Sequence, residues 1–207
     1  MTWLDWARRL QAVAQNGLLY DDTSAFHVER YEEVGAIAAE LAAAQTGEAV
    51  EDIAAAFAVD YSHATPKVDV RGAAFRGSEL LLVRGADDVL WTLPGGWAEV
   101  GEPPREAIEK ELVEETGYPV RATKLIGVYA RDLRSRPRWP TYVYNLFFLC
   151  ELLDGEPGVP HAHEISEVGF FAEDALPPLS VIRGMTPDLL ARVFEHHRDP
   201  ALPADFD

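Results

Sequence analysis

Positive charge is scarce in this chain. Its 207 residues include 18 Lys and Arg against 35 Asp and Glu, which gives a net charge of −17 at pH 7. A surface of this sign repels the phosphate backbone of nucleic acids, so we expect no stable binding to duplex DNA or RNA.

Cysteine and long apolar segments are scarce as well. Cys150 is the one cysteine, which excludes an internal disulfide, and the apolar residues before it indicate a buried side chain rather than a reactive thiol. No stretch is apolar over the length of a membrane span, and the start lacks the pattern of a signal peptide. We therefore expect a cytoplasmic protein that does not contact membranes.

The first part of the chain has the apolar spacing of helices. Apolar side chains recur every three or four positions, and the breaks between them predict helices that end at Gly17, near Gly47 and at Phe57. No strand-like alternation and no cluster of chemically active residues interrupts this pattern. We predict a helical N-terminal domain over residues 1–64.

The pattern changes at Thr65-Pro66. Val68 and Val70 alternate with charged residues, as in a half-buried strand, and further strand-like runs follow. The predicted strands cover residues 68–75, 79–84, 89–93, 120–129, 141–152 and 168–171, and a last helix lies near 186–197. We predict that residues 65–207 form a second domain.

The most informative segment is GWAEVGEPPREAIEKELVEETGY, residues 96–118. Glu111, Glu114 and Glu115 fall at i, i+3 and i+4 and share one helix face. Their mutual repulsion costs roughly 0.2–0.5 kcal/mol per close pair. A sequence that keeps them together is expected to bind a cation, and oxygen ligands favour Mg²⁺ or Mn²⁺.

The limits of this helix can be predicted. Glu102 is placed at the N-cap or first turn, where an acid is favourable, and Pro103-Pro104 suit the first turn alone. Gly117 is expected to end the helix in the left-handed conformation. The glycines of Leu93-Pro94-Gly95-Gly96, just upstream, allow the backbone to approach a ligand closely.

This segment resembles the Nudix box, G-x5-E-x7-R-E-U-x-E-E-x-G-U, where U is a bulky aliphatic residue. The residues that match its fixed positions are Gly96, Glu102, Glu111, Leu112, Glu114, Glu115 and Gly117. Two positions depart from it. Lys110 replaces an arginine that orients carboxylates in the family, and lysine lacks the planar guanidinium. Tyr118 replaces an aliphatic residue.

The resemblance extends from Thr65 to Ser180 and implies an architecture. The chain resembles a bacterial Nudix subgroup whose members carry a small helical N-terminal domain, which residues 3–60 would form. It implies an α/β fold in which a Nudix-type mixed β-sheet is sandwiched between helices and is preceded by a small all-α domain. It also implies a homodimer.

The resemblance further implies an activity. Nudix enzymes of this subgroup hydrolyse the pyrophosphate linkage of a nucleoside diphosphate joined to a group X, as in ADP-ribose or CDP-choline. The implied Mg²⁺ or Mn²⁺ ligands are Glu111, Glu114, Glu115 and the carbonyl of Gly96. A carboxylate outside the box often assists as a base or further ligand; Glu164 is the candidate and Glu167 the alternative.

Candidate substrate contacts come from the residues themselves. Arg71 either contacts phosphate or pairs internally with Asp69, because a charge in a strand needs a partner. Arg84 could reach phosphate from the end of its strand. Arg131 opens the basic segment RDLRSRPR, which either covers a polyphosphate or is a solvated hairpin tip. Trp91, Trp139, Tyr142 and Tyr144 either stack on a base or pack in the core.

Two other functions compete with pyrophosphate hydrolysis. A sensor of nucleotide ligands that has lost catalysis would fit Lys110 and the additional helical domain, but the box retains its glutamates. A 3′-exonuclease on short RNA would fit the basic segment but not the net charge of −17.

Overall fold

The computed structural model describes residues 2–21, 23–60, 62–86, 89–130, 142–154, 157–160 and 164–207, with the exception of the side chain of Ile182. The chain forms two compact units. Residues up to Lys67, together with Tyr142, belong to the first, and residues 68–130 and 143–207 belong to the second.

The first unit is helical. Helix α1 spans Trp3–Tyr20, α2 spans Ala25–Thr46 and α3 spans Val50–Phe57. The Thr2 side chain caps α1 by accepting from the Asp5 N–H, and the Asp5 carboxylate accepts from the Thr2 N–H in return. Small side chains let the helices approach closely around a core of Leu4, Ala7, Ala39, Ala42, Ala43 and Ile53.

The predicted end of α1 at Gly17 is wrong, because the helix continues to Tyr20. A Cβ on Gly17 would lie 2.2 Å from the ring of Tyr31 on α2. This glycine therefore permits a close contact between two helices and does not act as a helix stop. The predicted ends at Gly47, which has φ +75°, and at Phe57 are confirmed.

The second unit is built on a sheet in which the described residues form seven strands. The strands are β1 Lys67–Arg76, β2 Glu79–Gly85, β3 Trp91–Thr92, β4 Val120–Ala130, β5 Val143–Leu152, β6 Ile165–Phe171 and β7 Asp205–Phe206. Their order is β3-β2-β1-β5-β4-β7, and β6 also pairs with β2. Since β7 runs parallel to β4 while β5 runs antiparallel to it, the sheet is mixed.

One helix covers each face of this sheet. Along β2, Leu80 and Leu82 face one core while Leu81 faces the other, as the twofold repeat of a strand requires. The first core includes Leu190, Val193 and Phe194 of α5, Pro187–Arg198. The second includes Ala107, Ile108 and Leu112 of α4, Pro104–Thr116. The predicted mixed sheet between helices, preceded by a helical region, is confirmed.

Cys150 is 4% exposed and belongs to the core beneath α4, so the prediction of a buried thiol is confirmed. Burial raises the pKa of this thiol to about 12, which keeps it protonated and unreactive at neutral pH. None of the helices in the described ranges combines the length and apolar character needed to cross a bilayer.

Candidate active site

Three carboxylates lie on one face of α4. Glu111, Glu114 and Glu115 occupy its C-terminal half; Glu115 is buried and the other two are partly exposed. The apolar face of the helix packs in the core, and the Glu109 carboxylate accepts a hydrogen bond from the Ala122 N–H at 2.8 Å. The helix is thereby fixed to the sheet, and the three carboxylates are fixed with it.

The glycine loop, Leu93-Pro94-Gly95-Gly96, runs beside β1 and approaches α4. The carbonyl of Pro94 accepts from the Gly72 N–H at 3.0 Å, and the carbonyl of Gly96 accepts from the Val70 N–H at 2.8 Å. Gly95 has φ +134°, and a Cβ there would lie 2.1 Å from the Val70 oxygen, so only glycine fits. The Gly96 carbonyl, a predicted metal ligand, thus uses one of its two lone pairs on β1.

The loop also bonds directly to the carboxylate set. The Gly95 N–H donates to Oε2 of Glu115 at 2.7 Å, and Glu115 is only 7% exposed. Burial raises the pKa of Glu115, although the positive charge of Arg71 and the hydrogen bond from Gly95 oppose that rise. The sequence predicted a flexible loop beside an acidic helix but did not reveal this bond.

The pKa of Glu111 lies well above that of an ordinary carboxyl group. Burial, together with the charges of Glu115 and Glu114, raises its pKa from 4.5 to about 7. A Cβ on Gly96 would lie 2.9 Å from Oε1 of Glu111, so the loop backbone is in contact with this carboxylate. Glycine at position 96 leaves room for this carboxylate, and a Cβ there would require the end of the Glu111 side chain to move.

Arg71 lies beneath the loop and is almost fully buried. Its Nε and Nη2 donate to the two carboxylate oxygens of Asp69 at 2.7 and 2.8 Å, and its Nη1 donates to the Leu93 carbonyl at 3.1 Å. At 3% exposure it cannot meet a substrate. Of the two predicted alternatives, the structure shows the internal pair with Asp69 and not the phosphate contact, and the positive charge of Arg71 opposes the rise in the pKa of Glu111 and of Glu115.

Lys110 holds the acidic residues that precede α4. Its Nζ donates to Glu102 at 2.9 Å and to Glu99 at 3.3 Å, and these bonds raise its pKa. The N-cap of α4 is Pro103, so Glu102 precedes the helix and pairs with Lys110 rather than capping it. The lysine thus contacts neighbouring carboxylates, as the arginine of the family motif does.

The two carboxylates predicted outside the box lie at the start of β6. Glu164 is exposed, and its charge contributes to the raised pKa of Glu115, so it is within electrostatic range of the site. Glu167 forms an ion pair with Arg84 on the neighbouring strand. These contacts favour Glu164 over Glu167 as the additional carboxylate.

Among the described residues, the remaining predicted contacts pair with other protein groups, lie exposed on the sheet or pack in the core. Arg84 bonds to Glu167 and to Ser166, so a phosphate would have to compete with these partners. Tyr144 is 44% exposed on β5, opposite Ala130 of β4. Trp91 is in the core, as the packing alternative proposed. Arg131 and the rest of the basic segment, with Trp139, lie outside the described residues.

A cation that the sequence did not suggest acts on the site. The charge of Arg183 opposes the rise in the pKa of Glu115. It lies in a 3₁₀ turn, Val181–Arg183, between β6 and α5, where no periodic pattern marks an element. Only its position after the apolar Leu176–Leu179 segment could have drawn attention to it.

The carboxylate set suits a hard divalent cation. A cation among Glu111, Glu114 and Glu115 would relieve the repulsion and burial that raise the pKa of Glu111. In the described part of the chain, no three His, Cys, Asp or Glu side chains form a ready-made metal cage. Mg²⁺ commonly binds through one or two carboxylates and completes its shell with water and substrate phosphate, so an open set fits it.

Comparison with known proteins identifies the family. A family model described as the NUDIX domain matches residues 65–189, and a second, described as a UDP-X-like N-terminal oligomerisation domain, matches residues 1–57. The NUDIX domain model covers more than half of the chain. The chain belongs to the Nudix hydrolase family, and the prediction of a Nudix pyrophosphohydrolase is confirmed.

Several relatives match most of the chain. YjhB of Bacillus subtilis (strain 168), whose naming as an ADP-ribose pyrophosphatase is provisional, is 39% identical over 207 residues, 99% of this chain and 97% of YjhB. A crystal structure of UDP-X diphosphatase has 29% identity and a TM-score of 0.61, covering 99% of this chain and 98% of its own. The structure of an ADP-ribose pyrophosphatase from Streptococcus suis 89-1591 has 37% identity and a TM-score of 0.59, covering 69% of this chain and all of its own.

Proposed function

We propose that this enzyme hydrolyses the pyrophosphate linkage of a nucleoside diphosphate joined to X, of the ADP-ribose or CDP-choline type. The products are a nucleoside monophosphate and phospho-X. The observation that carries the proposal is the carboxylate face of α4, where Glu111 and Glu115 are held against the glycine loop. ADP-ribose is the first substrate to test, because two of the relatives carry that name.

Mg²⁺ or Mn²⁺ is proposed as the cofactor, held by Glu111, Glu114, Glu115 and the second lone pair of the Gly96 carbonyl. The bound metal would neutralise phosphate charge and acidify a water molecule. The protein contributes fixed positions: Gly95 orients Glu115, and the Asp69–Arg71 pair supports the loop from below.

The covalent change is a hydrolysis at phosphorus. The oxygen of water bonds to one phosphorus, the bridging P–O bond breaks, and the bridging oxygen leaves with the other phosphate. A carboxylate must take the proton that water loses, and we assign this role to Glu164, which is exposed and electrostatically coupled to Glu115.

The test is a hydrolysis screen with a matched control. Wild type, Glu115→Gln and Glu106→Gln are given ADP-ribose, CDP-choline, a UDP-sugar, NADH and a labelled short RNA, each with Mg²⁺ or Mn²⁺, and products are separated by chromatography. Glu106 is an exposed acid in the first turn of the same helix, so its substitution controls for lost charge.

Release of a nucleoside monophosphate by wild type and Glu106→Gln, but not by Glu115→Gln, is the expected result. Shortening of the RNA alone would favour the exonuclease alternative. If folded wild type with either metal cleaves none of the five, the proposed substrate class is wrong.

The N-terminal helices are proposed to form a homodimer. The model that matches residues 1–57 is described as an oligomerisation domain, and α1 exposes Trp3, Trp6 and Tyr20 by 63%, 45% and 68%. We also propose that the boundary between the two domains lies between residues 64 and 65. A cytoplasmic location is likewise a proposal. Sedimentation of wild type and of Trp3→Glu would test the dimer, since the variant should sediment as a monomer.

A further inference from the structure

The surface of α1 carries an apolar stripe with heptad spacing. Its positions lie three and four residues apart in alternation, which is the spacing of the a and d positions of a coiled coil. The stripe runs from the first residue of the helix to the last and contains no charged side chain. This heptad stripe consists of Trp3, Trp6, Leu10, Val13, Gly17 and Tyr20.

The heptad stripe lies beside the buried face of α1. The buried residues of the helix include Leu4, Ala7 and Ala14, and Leu4 and Ala7 pack in the core that α1 forms with α2 and α3. Other residues of the helix, all of them in the stripe, are between 45% and 68% exposed: Trp3, Trp6, Val13 and Tyr20. An apolar stripe of this size on a folded domain indicates a surface that binds a partner.

Two rings of the heptad stripe have neighbours within the first unit. The guanidinium carbon of Arg9 lies 4.8 Å from the centroid of the Trp6 ring, and the ring centroids of Tyr20 and His63 are 5.8 Å apart. In the presence of these neighbours, Trp6 and Tyr20 remain 45% and 68% exposed. The contacts therefore hold both rings at the surface and leave much of their area open.

The heptad stripe is complementary to itself when the helix is reversed. Its positions are symmetric about the point between residues 11 and 12. A second α1 that runs in the opposite direction therefore places each a position opposite a d position along the full length of the helix. The facing pairs, each formed twice about a twofold axis, are Trp3 with Tyr20, Trp6 with Gly17, and Leu10 with Val13.

The antiparallel direction also matches the sizes of the facing side chains. Gly17 has no side chain, and the ring of Tyr31 on α2 lies 2.2 Å from the place that a Cβ would take. Trp6 of a second copy would pack on this ring, and aromatic pairs of this kind stabilise cores and interfaces. A parallel pair would instead place Gly17 opposite Gly17 and Trp6 opposite Trp6, which leaves one layer underfilled and another overfilled.

We propose that α1 packs antiparallel against α1 of a second copy of this chain, with the heptad stripe at the centre of the interface. Two copies related by a twofold axis need a surface that is complementary to itself, and the stripe meets this requirement. Residues 1–57 match a model described as an oligomerisation domain, which supports a second copy as the partner. The inference rests on the proposed homodimer and adds its contact surface and the direction of its helices.

Engineered disulfides test the direction of the two helices. Chains that carry Trp3→Cys and Tyr20→Cys, with different affinity tags, are produced together, and the mixed dimer is purified under reducing conditions and then oxidised. The native Cys150 does not interfere, because burial raises the pKa of its thiol to about 12. A mixed dimer of Trp3→Cys and Leu19→Cys is the control, since Leu19 is exposed but turned about 100° around the helix from Tyr20, away from the stripe.

The mixed dimer of Trp3→Cys and Tyr20→Cys should form roughly ten times more disulfide than the control, because two Cα atoms must lie within about 7 Å to be bridged. Dimers of either variant alone should form little, since an antiparallel pair separates the two copies of either position by about 25 Å along the axis.

Sedimentation supplies an independent measurement. Val13→Glu should raise the dissociation constant of the dimer about a hundredfold, because it places an unpaired charge in the interface. Leu19→Glu is the matched control and should leave the dissociation constant unchanged. Val13 and Leu19 are both exposed in the single chain, so both variants should fold, and melting curves check that they do.

Disulfide formation by Trp3→Cys alone would overturn the inference, because the helices would then run parallel. Equal cross-linking in the mixed dimer and in its control would also overturn it, as would equal dissociation constants for Val13→Glu and Leu19→Glu. A wild type that sediments as a monomer would overturn the homodimer itself and the inference with it. Neither measurement uses catalysis, so a failure to cleave the proposed substrates is a separate result.

Discussion

The Gly95 N–H donates to Oε2 of Glu115 at 2.7 Å, and this bond joins the glycine loop to the acidic helix. Glu115 thus has two roles: it bonds to the loop, and it belongs to the carboxylate set. Removing the N–H donor of a buried carboxylate costs free energy, so the bond also holds the loop in place. The two roles can be separated by choosing the substitution.

Glu115→Gln should reduce activity about a hundredfold or more, because the metal-bound charge in the transition state is worth several kcal/mol. Its melting temperature should hold or rise, since the amide oxygen can still accept from Gly95 and one of three clustered charges is gone. Glu115→Ala should be as inactive but less stable, because the Gly95 donor is left buried without an acceptor.

Kinetics and thermal melts of the two variants test this separation. If Glu115→Gln melts as early as Glu115→Ala, the bond to Gly95 requires the charge itself, and the division of roles is wrong.

The acidic helix and its limits could be predicted from local residue patterns. Pro104 and Gly117 mark its ends, and the three glutamates share a face through helical geometry alone. Strands β1, β2, β4 and β5 were predicted within a few residues for a similar reason, since their alternating or continuous apolar runs are local features.

Features that depend on tertiary contact could not be predicted. Gly17 was interpreted as a helix stop because a ring from α2 cannot be seen in a local pattern. Strand β7 is two residues long, exists only through its pairing with β4, and was missed. Arg183 was missed because its turn is defined by bonds to β3, more than 80 residues earlier in the chain.

The two predicted roles of Arg71 could not be distinguished from the sequence. The spacing of Asp69 and Arg71 places both on one side of a strand, which fits either a ligand contact or an internal pair. Burial decides between them, and burial depends on the loop that covers the pair.

Breaking the Asp69–Arg71 pair should destabilise the fold. Arg71→Met removes the partner of a buried carboxylate and should reduce the free energy of unfolding by roughly 3–5 kcal/mol. Arg71→Lys keeps the charge but loses the bidentate geometry, so we expect a smaller loss. Urea unfolding measures both, and Arg121→Ala is the control for an exposed arginine on the sheet. An Arg71→Met protein as stable as that control would argue against a structural role for the pair.

Metal binding should weaken as the pH falls below about 7. The pKa of Glu111 in the metal-free protein is raised to about 7 by burial and by Glu115 and Glu114, so protons compete with the cation below that pH. Because the raised pKa means that the folded state binds more protons, the contribution of Glu111 to metal-free stability falls as pH rises from 4.5 to about 7.

Calorimetric titration with Mn²⁺ at pH 6 and pH 8 tests this dependence. Wild type should bind more tightly at pH 8 and should release a proton at pH 6. Glu111→Gln should bind more weakly and lose most of the difference between the two pH values. If Mn²⁺ binding depends on pH equally in wild type and in Glu111→Gln, a group other than Glu111 is the one that titrates.

His196 should make the second unit sensitive to acid. The side chain is fully buried on α5, and among the described residues neither ring nitrogen has a hydrogen-bond partner. Burial lowers its pKa; the charges of Lys124 on β4 and Arg192 on α5 act in the same direction, and Asp205 on β7, 3.7 Å away, opposes them.

The folded state favours the neutral form of His196, so protonation of this ring should destabilise the fold. Because the folded state disfavours protonated His196, its contribution to stability is complete above the ordinary pKa of 6.5 and is lost as the pH falls below it. The melting temperature of wild type should therefore fall further between pH 7.5 and pH 5.5 than that of His196→Leu, which has no group to protonate at this position. His197→Leu, at the neighbouring and only partly buried position, is the matched control and should follow wild type. If His196→Leu and wild type lose the same amount, the acid sensitivity arises from other groups, because this buried ring is the difference between them.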